Sequence, residues 1–406
     1  MTMLAINGGT PVRTRPFDGW PEFGREEEDL LLEALRSGHW GSLDGTFVDR
    51  LEVEFAALQA ARHAVSTVNA TMGLTVAFRA LGIGSGDEVI VPPYTFIATA
   101  SAALMLGAIP IFVDVDPDTL LIDPAGIDAA VTSRTRAIVP VHHGGSPVDM
   151  DGIMAAAGRH GLRVVEDAAQ AHGAAWRGRP VGAIGDIGVF SFQSTKPINA
   201  GEGGMMLTND DELDEILWSL RNVGRRRGGE WYEHVRLGWN LRMSEFQAAV
   251  LIAQMARMPA QHVRRTAAAA YLDAELSKIP GVVPLKVPDG VTAHSWYTYH
   301  WRWLGAAEGG LPKMAFAAAL RAEGIPLFHG YTPLNRNVAV RAEIARLGGA
   351  EPAACPNAER AESEEVLMFA MQILLGTRED LDDVVRAVAK VAQVRARETA
   401  PVGVQG

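Results

Sequence analysis

From residue 63 onward, short apolar runs alternate with stretches of helical spacing. Runs at 63–68, 89–91, 109–115, 137–141, 162–165, 189–192 and 204–208 are apolar at nearly every position rather than at every second one. That is the pattern of strands covered on both faces. Segments of helix length at 72–81 and 98–106, and turns such as Gly82-Ile83-Gly84-Ser85-Gly86-Asp87 and Asp123-Pro124, separate the early runs. The series predicts an α/β fold with a mostly parallel sheet between helices. Ahead of it, Gly8-Gly9, Pro11, Pro16 and Pro21 mark an irregular arm that lies on another surface rather than folding alone. Behind it, 243–276 has helical spacing with a break expected at Pro259, and bridges to a second unit. That unit holds an alternating strand over 296–302, a helix near 315–323 and a final amphipathic helix over 380–392. The expected division is 1–258, the arm and large domain, and 259–406, a smaller C-terminal domain.

Composition narrows the function classes. A chain of 406 residues that is 48% hydrophobic can bury two cores. A formal charge of -11 argues against nucleic acid, because phosphate backbones demand a basic face. Arg225-Arg226-Arg227 is the one dense basic run and reads as a solvated loop rather than an anion site. A single cysteine, Cys355, excludes an internal disulfide and a multi-thiolate metal cage, and no metal is expected. The first twenty residues carry charges and prolines and no long apolar run, so no membrane association is expected and the location reads as cytoplasmic.

Candidate chemistry sits at the ends of the apolar runs, where open α/β sheets collect ligands. Asp167 follows Val164-Val165-Glu166, and Lys196 follows Phe190-Ser191-Phe192-Gln193-Ser194-Thr195, 29 residues later. An anion for a ring nitrogen and an amine for an aldehyde are what pyridoxal phosphate (PLP) chemistry requires. Asn69-Ala70-Thr71 ends one run and opens a helix, so the Thr71 and Met72 amides and the Thr71 hydroxyl would meet a phosphate, with Ser191 donating from the other side. Tyr94 and Phe96, after Pro92-Pro93, offer a ring to stack on a cofactor face or to fill core.

These residues, together with Asp87-Glu88-Val89-Ile90-Val91-Pro92, Phe112-Val113-Asp114-Val115, Gly201-Glu202-Gly203-Gly204 and Asn240-Leu241-Arg242-Met243-Ser244-Glu245-Phe246-Gln247, form an ordered set. The set resembles the DegT/DnrJ/EryC1/StrS aminotransferases over the whole chain. The resemblance implies a fold-type I PLP enzyme, with a mostly parallel seven-stranded sheet flanked by helices and a smaller C-terminal α/β domain. It implies that Lys196 joins the cofactor aldehyde, Asp167 pairs with the pyridine nitrogen, Gln170 lies by the ring, and Phe96 stacks on it. Ala70, Thr71, Met72 and Ser191 would hold the phosphate, and Asn240 would reach the phosphate of the neighbouring subunit in a homodimer with shared active sites. The arginine- and glycine-rich stretch 225–238 would be the arm that crosses over.

The implied reaction moves an amino group from L-glutamine or L-glutamate to a ketone, with ping-pong kinetics. The opening Ala5-Ile6-Asn7-Gly8-Gly9-Thr10-Pro11-Val12-Arg13, the Trp20-Pro21 pair and Gln372-Ile373-Leu374-Leu375-Gly376 are most similar to enzymes of aminocyclitol antibiotic pathways, so an inosose-like keto-cyclitol is the expected acceptor. Nucleotide keto-sugar aminotransferases and aminohydroxybenzoate-type synthases share the core motifs and stay open as alternatives, as does a non-enzymatic PLP-binding protein. Ala70 stands where similar chains carry glycine, and Phe328-His329-Gly330-Tyr331-Thr332-Pro333 matches the family's substrate-side loop only loosely. A dehydratase on this fold would have histidine in place of Lys196, and a desulfurase would need Cys355 as a reactive thiolate.

Overall fold

The computed structural model describes residues 3–396, so the outermost ends of the arm and of the C-terminal unit lie outside it. Seven strands form the main sheet: β1 His63–Thr67, β2 Glu88–Val91, β3 Ile109–Phe112, β4 Thr135–Ile138, β5 Arg163–Asp167, β6 Ile187–Ser191 and β7 Gly204–Thr208. Their order is β1-β7-β6-β5-β4-β2-β3. The pairings among β3, β2, β4, β5 and β6 are parallel, and β7 alone runs against its neighbours β6 and β1. The expected mostly parallel seven-stranded sheet is therefore present.

The apolar runs have a simple cause. Successive strand residues point to opposite faces, and both faces are covered. Val89, Val91, Val165, Val189 and Met206 belong to one apolar cluster with Leu74 and Phe78, while Ile90, Val164, Phe190 and Leu207 belong to another with Phe55 and Leu251. Each such side chain removed from water contributes about 1.5–3 kcal/mol.

A second sheet holds β8 Val282–Pro284, β9 Thr298–Trp303 and β10 Val366–Ala370 in the order β8-β9-β10, all antiparallel. The helices Lys313–Ala322 and Arg378–Ala392 pack against it, through Phe316, Leu320, Val384 and Val388 among others. The arm lies on this C-terminal sheet unit: Leu4 joins its core, and buried Arg13 bridges to Asp380 at 2.7 Å and Asp383 at 3.0 Å.

The expected break at Pro259 is absent. The helix runs unbroken over Glu245–Leu276, started by a capping box between Ser244 and Gln247. A proline inside a helix costs about 3 kcal/mol, yet both flanks are fixed by packing. Ala248, Leu251 and Met258 are in the main-sheet core, and Ala268, Leu272 and Leu276 are in the core of the second sheet. No helix among the described residues is long and apolar enough to cross a membrane.

Candidate active site

A cavity of about 610 Å³ opens beyond the carboxyl ends of the main-sheet strands. Its lining includes Ala70, Thr71, Phe96, Asp167, Gln170, Ser191 and Lys196. Seven of the sequence candidates are thus brought together from four separate parts of the chain.

Asp167 ends β5, the central strand, and is only 6% exposed. Thr99 Oγ1 donates to its Oδ2 at 2.7 Å and the Ala169 amide to its Oδ1 at 3.2 Å. Burial pushes its carboxyl above the ordinary range, with these donors and the Lys196 charge opposing the shift. Behind it, Glu166 accepts from His142 Nε2 at 3.0 Å and from the Gly182, Ile184 and Gly185 amides at 2.7 Å each. Burial alone would raise the Glu166 pKa, but His142 and these amides reverse the sign and hold it below the usual carboxylate value. The pair of acids therefore splits its work: Glu166 nails the strand end in place, and Asp167 is left facing the cavity.

Lys196 follows the tight turn after β6, with its amide bonded to Gln193 O at 2.8 Å. Its Nζ has no hydrogen bond or ion pair among the described residues and lies 4.1 Å from the centre of the Tyr297 ring. Opposite, Asn69 caps the Ala70–Ala80 helix by accepting the Met72 amide at 2.9 Å. The Ala70 and Thr71 amides have no protein acceptor among the described residues, so they remain open as helix N-terminal donors. Ser191 Oγ accepts from the Gln193 amide at 3.3 Å, which leaves its own hydrogen to donate. Gly204 lets the Asn69-Ala70 turn come close: a Cβ there would sit 2.7 Å from Asn69 C and 2.9 Å from Ala70 N.

A family model described as the DegT/DnrJ/EryC1/StrS aminotransferase family matches residues 21–389. The chain belongs to that family. Curated relatives of this DegT-family chain include a Streptomyces kanamyceticus protein whose name proposes an L-glutamine:3-amino-2,3-dideoxy-scyllo-inosose aminotransferase, 39% identical with 96% of each chain covered. The L-glutamine:2-deoxy-scyllo-inosose aminotransferase of Micromonospora echinospora is 38% identical, with 96% of this chain and 98% of the relative covered. Among solved structures, a 3-amino-5-hydroxybenzoic acid synthase superimposes with a TM-score of 0.87 at 34% identity, covering 93% of this chain and 99% of the other.

Two candidates of this DegT-family aminotransferase stand apart from the cavity. Met72 does not line it, and its amide is taken by the Asn69 cap. Asn240 is exposed outside it, paired through backbone with Asn222. Phe96 does line the cavity but is 56% exposed, so its ring lies at the rim. In the basic run, Arg225 stacks over Trp231 at 3.9 Å, Arg226 pairs with Glu233 at 2.9 Å and Arg227 with Asp214 at 2.8 Å. Cys355 is buried, and burial beside Asp114 and Glu359 pushes its thiol up to about 12, the opposite of a reactive thiolate.

Several residues of the site escaped the sequence reading. Thr99, which does not line the cavity but bonds Asp167, hides one turn after Phe96 in an alanine-rich stretch. Tyr297 and Thr298 enter from the second sheet, and Phe328, Gly330, Tyr331 and Met368 from later still. Gln170 Oε1 accepts from the Gly144 amide at 2.7 Å, tying β5 to a turn whose neighbour His143 is packed 5.3 Å from both Tyr94 and Tyr331. Only the stretch 328–333 had a sequence signal, as a loose match to a substrate-side loop.

Proposed function

We propose that the protein transfers the amino group of L-glutamine or L-glutamate to the ketone of an inosose-like keto-cyclitol in antibiotic or related secondary-metabolite biosynthesis, with pyridoxal phosphate as cofactor. The observation that carries the reading is the shared cavity of Lys196 and Asp167. Bound PLP supplies an aldehyde for the donor nitrogen and a ring that accepts the electron pair left when the donor loses its α-hydrogen.

The residues present fit that group. Asp167, buried and formally uncompensated by an ion pair among the described residues, suits a protonated pyridine nitrogen. The open Ala70 and Thr71 amides, the Thr71 hydroxyl and the Ser191 hydroxyl suit a phosphate. Gln170 and Phe96 would flank the ring. Lys196 would provide the amine: it would take the proton from the donor's α-carbon and deliver it to the carbon that had carried the cofactor's aldehyde oxygen, then run the same transfer in reverse for the acceptor. Asn240 would serve the phosphate of a second copy in a cytoplasmic homodimer. Its exposure outside its own cavity supports that role, as do the exposed Trp231, Tyr232 and Leu237 on the same loop. The functional units in this reading are 1–258, which includes the arm although the arm's first residues pack on the C-terminal sheet, and the C-terminal domain, 259–406.

A neutral polyhydroxylated acceptor is favoured by charge. Among the described residues lining the cavity Lys196 is the one cation, beside the acids Asp167 and Glu202, so with Lys196 engaged by the cofactor a nucleotide diphosphate would meet no further cation in that lining. The inosose specificity in the relatives' names points the same way. The aminohydroxybenzoate-type alternative draws on the structural match to 3-amino-5-hydroxybenzoic acid synthase.

The test is direct. Purified protein loaded with PLP is mixed with glutamine or glutamate and a panel of keto-cyclitols and nucleotide keto-sugars, and the products are weighed by mass spectrometry. Aminated cyclitol is the expected product; amination of nucleotide sugars alone would discard the acceptor assignment. Lys196→Ala is expected to abolish turnover while leaving the thermal unfolding of the cofactor-free protein essentially unchanged.

A further inference from the structure

Tyr297 reaches the lysine from the far side of the sequence, and its approach is built rather than incidental. Trp296, just before it, adopts a left-handed backbone with φ 53°. The Ser295 amide donates to Gly145 O at 2.9 Å and the Tyr297 amide to Gly144 O at 3.1 Å. Gly144 is itself held by Gln170 at 2.7 Å and has no room for a side chain, since a Cβ would lie 2.5 Å from the His300 ring. This fastens the entry to β9 onto the turn beside Asp167 and directs the Tyr297 side chain across the cavity.

Both ends of that side chain engage the lysine segment. The ring centre is 4.1 Å from Lys196 Nζ. The hydroxyl is 2.8 Å from Thr195 Oγ1, and Thr195 Oγ1 donates at 2.7 Å to Gln193 Oε1, so the tyrosine O–H is the donor to threonine. A tyrosine that merely filled core would not present its ring to an ammonium. An ammonium within about 6 Å of an aromatic centroid is attracted to the ring face, most strongly where water is scarce.

We propose that Tyr297 is a positioning residue for Lys196. Its ring holds the ammonium whenever the side chain is free of the cofactor, and its hydroxyl steadies the turn from which the lysine projects. The proton that Nζ takes from the donor is the proton it later gives up, so the group must wait in place, charged, between the two transfers. A flexible four-carbon chain with no other polar partner would otherwise sample the 610 Å³ cavity. This inference rests on the reading of Lys196 as the reacting amine.

Tyr297→Phe keeps the ring and loses the hydroxyl; Tyr297→Leu loses both. The first readout needs no turnover. In cofactor-free protein whose lysines carry 13C-methyl groups introduced by reductive methylation, the Lys196 resonance, assigned with Lys196→Arg, is expected to be shifted upfield by the ring in wild type and Tyr297→Phe. In Tyr297→Leu it is expected at the solvent value. The second readout is kinetic: Tyr297→Leu is expected to lose about tenfold in kcat with the donor KM nearly unchanged. It should also show a larger isotope effect from α-deuterated donor, while Tyr297→Phe stays within about threefold of wild type. An unmoved resonance, or an unchanged kcat and isotope effect in Tyr297→Leu, overturns the assignment. Borohydride reduction of the loaded protein separates the two levels. A cofactor adduct on Lys196 with those unchanged readouts removes Tyr297 alone, whereas no adduct in wild type removes the role of the lysine as well.

Discussion

A buried carboxylate without a matching charge is the feature from which the chemistry can be probed most directly. Asp167 is raised by burial, so in the cofactor-free protein its ionised form is a cost that a cationic ring nitrogen would offset. Asp167→Asn preserves the acceptor for Thr99 Oγ1 and removes the charge. The cofactor-free variant is expected to melt at the same temperature as wild type or higher, to gain less on PLP addition, and to lose at least about a hundredfold in kcat; differential scanning fluorimetry and steady-state rates check all three. Glu166 titrates in the opposite sense. Its folded pKa lies below the ordinary glutamate value, so its stabilisation is complete above the unfolded value and disappears as pH falls through the folded one. Thermal melts below about pH 4.5 should therefore fall steeply in wild type and less steeply in Glu166→Gln, which starts from lower stability at pH 7.

Strands and loops decide how closely those residues approach. β7 begins at Gly204, tucked against the Asn69-Ala70 turn, with no space for a methyl group. Gly204→Ala would push the Ala70–Ala80 helix start outward, and it is expected to weaken PLP affinity about tenfold or more and to lower stability by about 1–3 kcal/mol, measured by cofactor titration and urea unfolding. The loop carrying Phe328, Gly330 and Tyr331 is held by buried Lys313, whose Nζ donates to His329 O at 2.7 Å and to the Glu362 carbonyl. Burial pulls its pKa down to about 8. Lys313→Met should free this loop and raise the acceptor KM several-fold with a smaller effect on the donor KM, since one face of the cavity would lose its anchor. The Glu245–Leu276 helix shows an element whose local signal misled: Pro259 announces a break, yet packing on two cores keeps the helix whole.

Across the whole molecule, the loop 223–240 leaves Tyr232 83% and Leu237 89% exposed beside Asn240. If Asn240 completes a neighbour's site, Lys196→Ala and Asn240→Ala chains, each nearly inactive alone, should recover about a quarter of wild-type activity when refolded together, because half of random dimers are mixed and each holds one intact site. No recovery would mean that each chain works by itself. The main sheet and its strand-end residues were legible in the amino-acid order, because coverage on both faces imposes apolar residues at nearly every position and because Asp167 and the Asn69-Ala70-Thr71 turn closely follow such runs, with Ser191 inside the end of one. Lys196 was legible for the same reason. What periodicity could not supply was the other wall of the cavity. Thr99, Gly144, Tyr297, Tyr331 and the Lys313 anchor carry no local pattern that sets them apart from core or loop residues. Of these, Tyr297 and Tyr331 reach the cavity of Lys196 because the C-terminal unit is fastened back over the main sheet, through contacts between residues more than a hundred positions apart, and such contacts are specified by three-dimensional packing rather than by spacing along the chain.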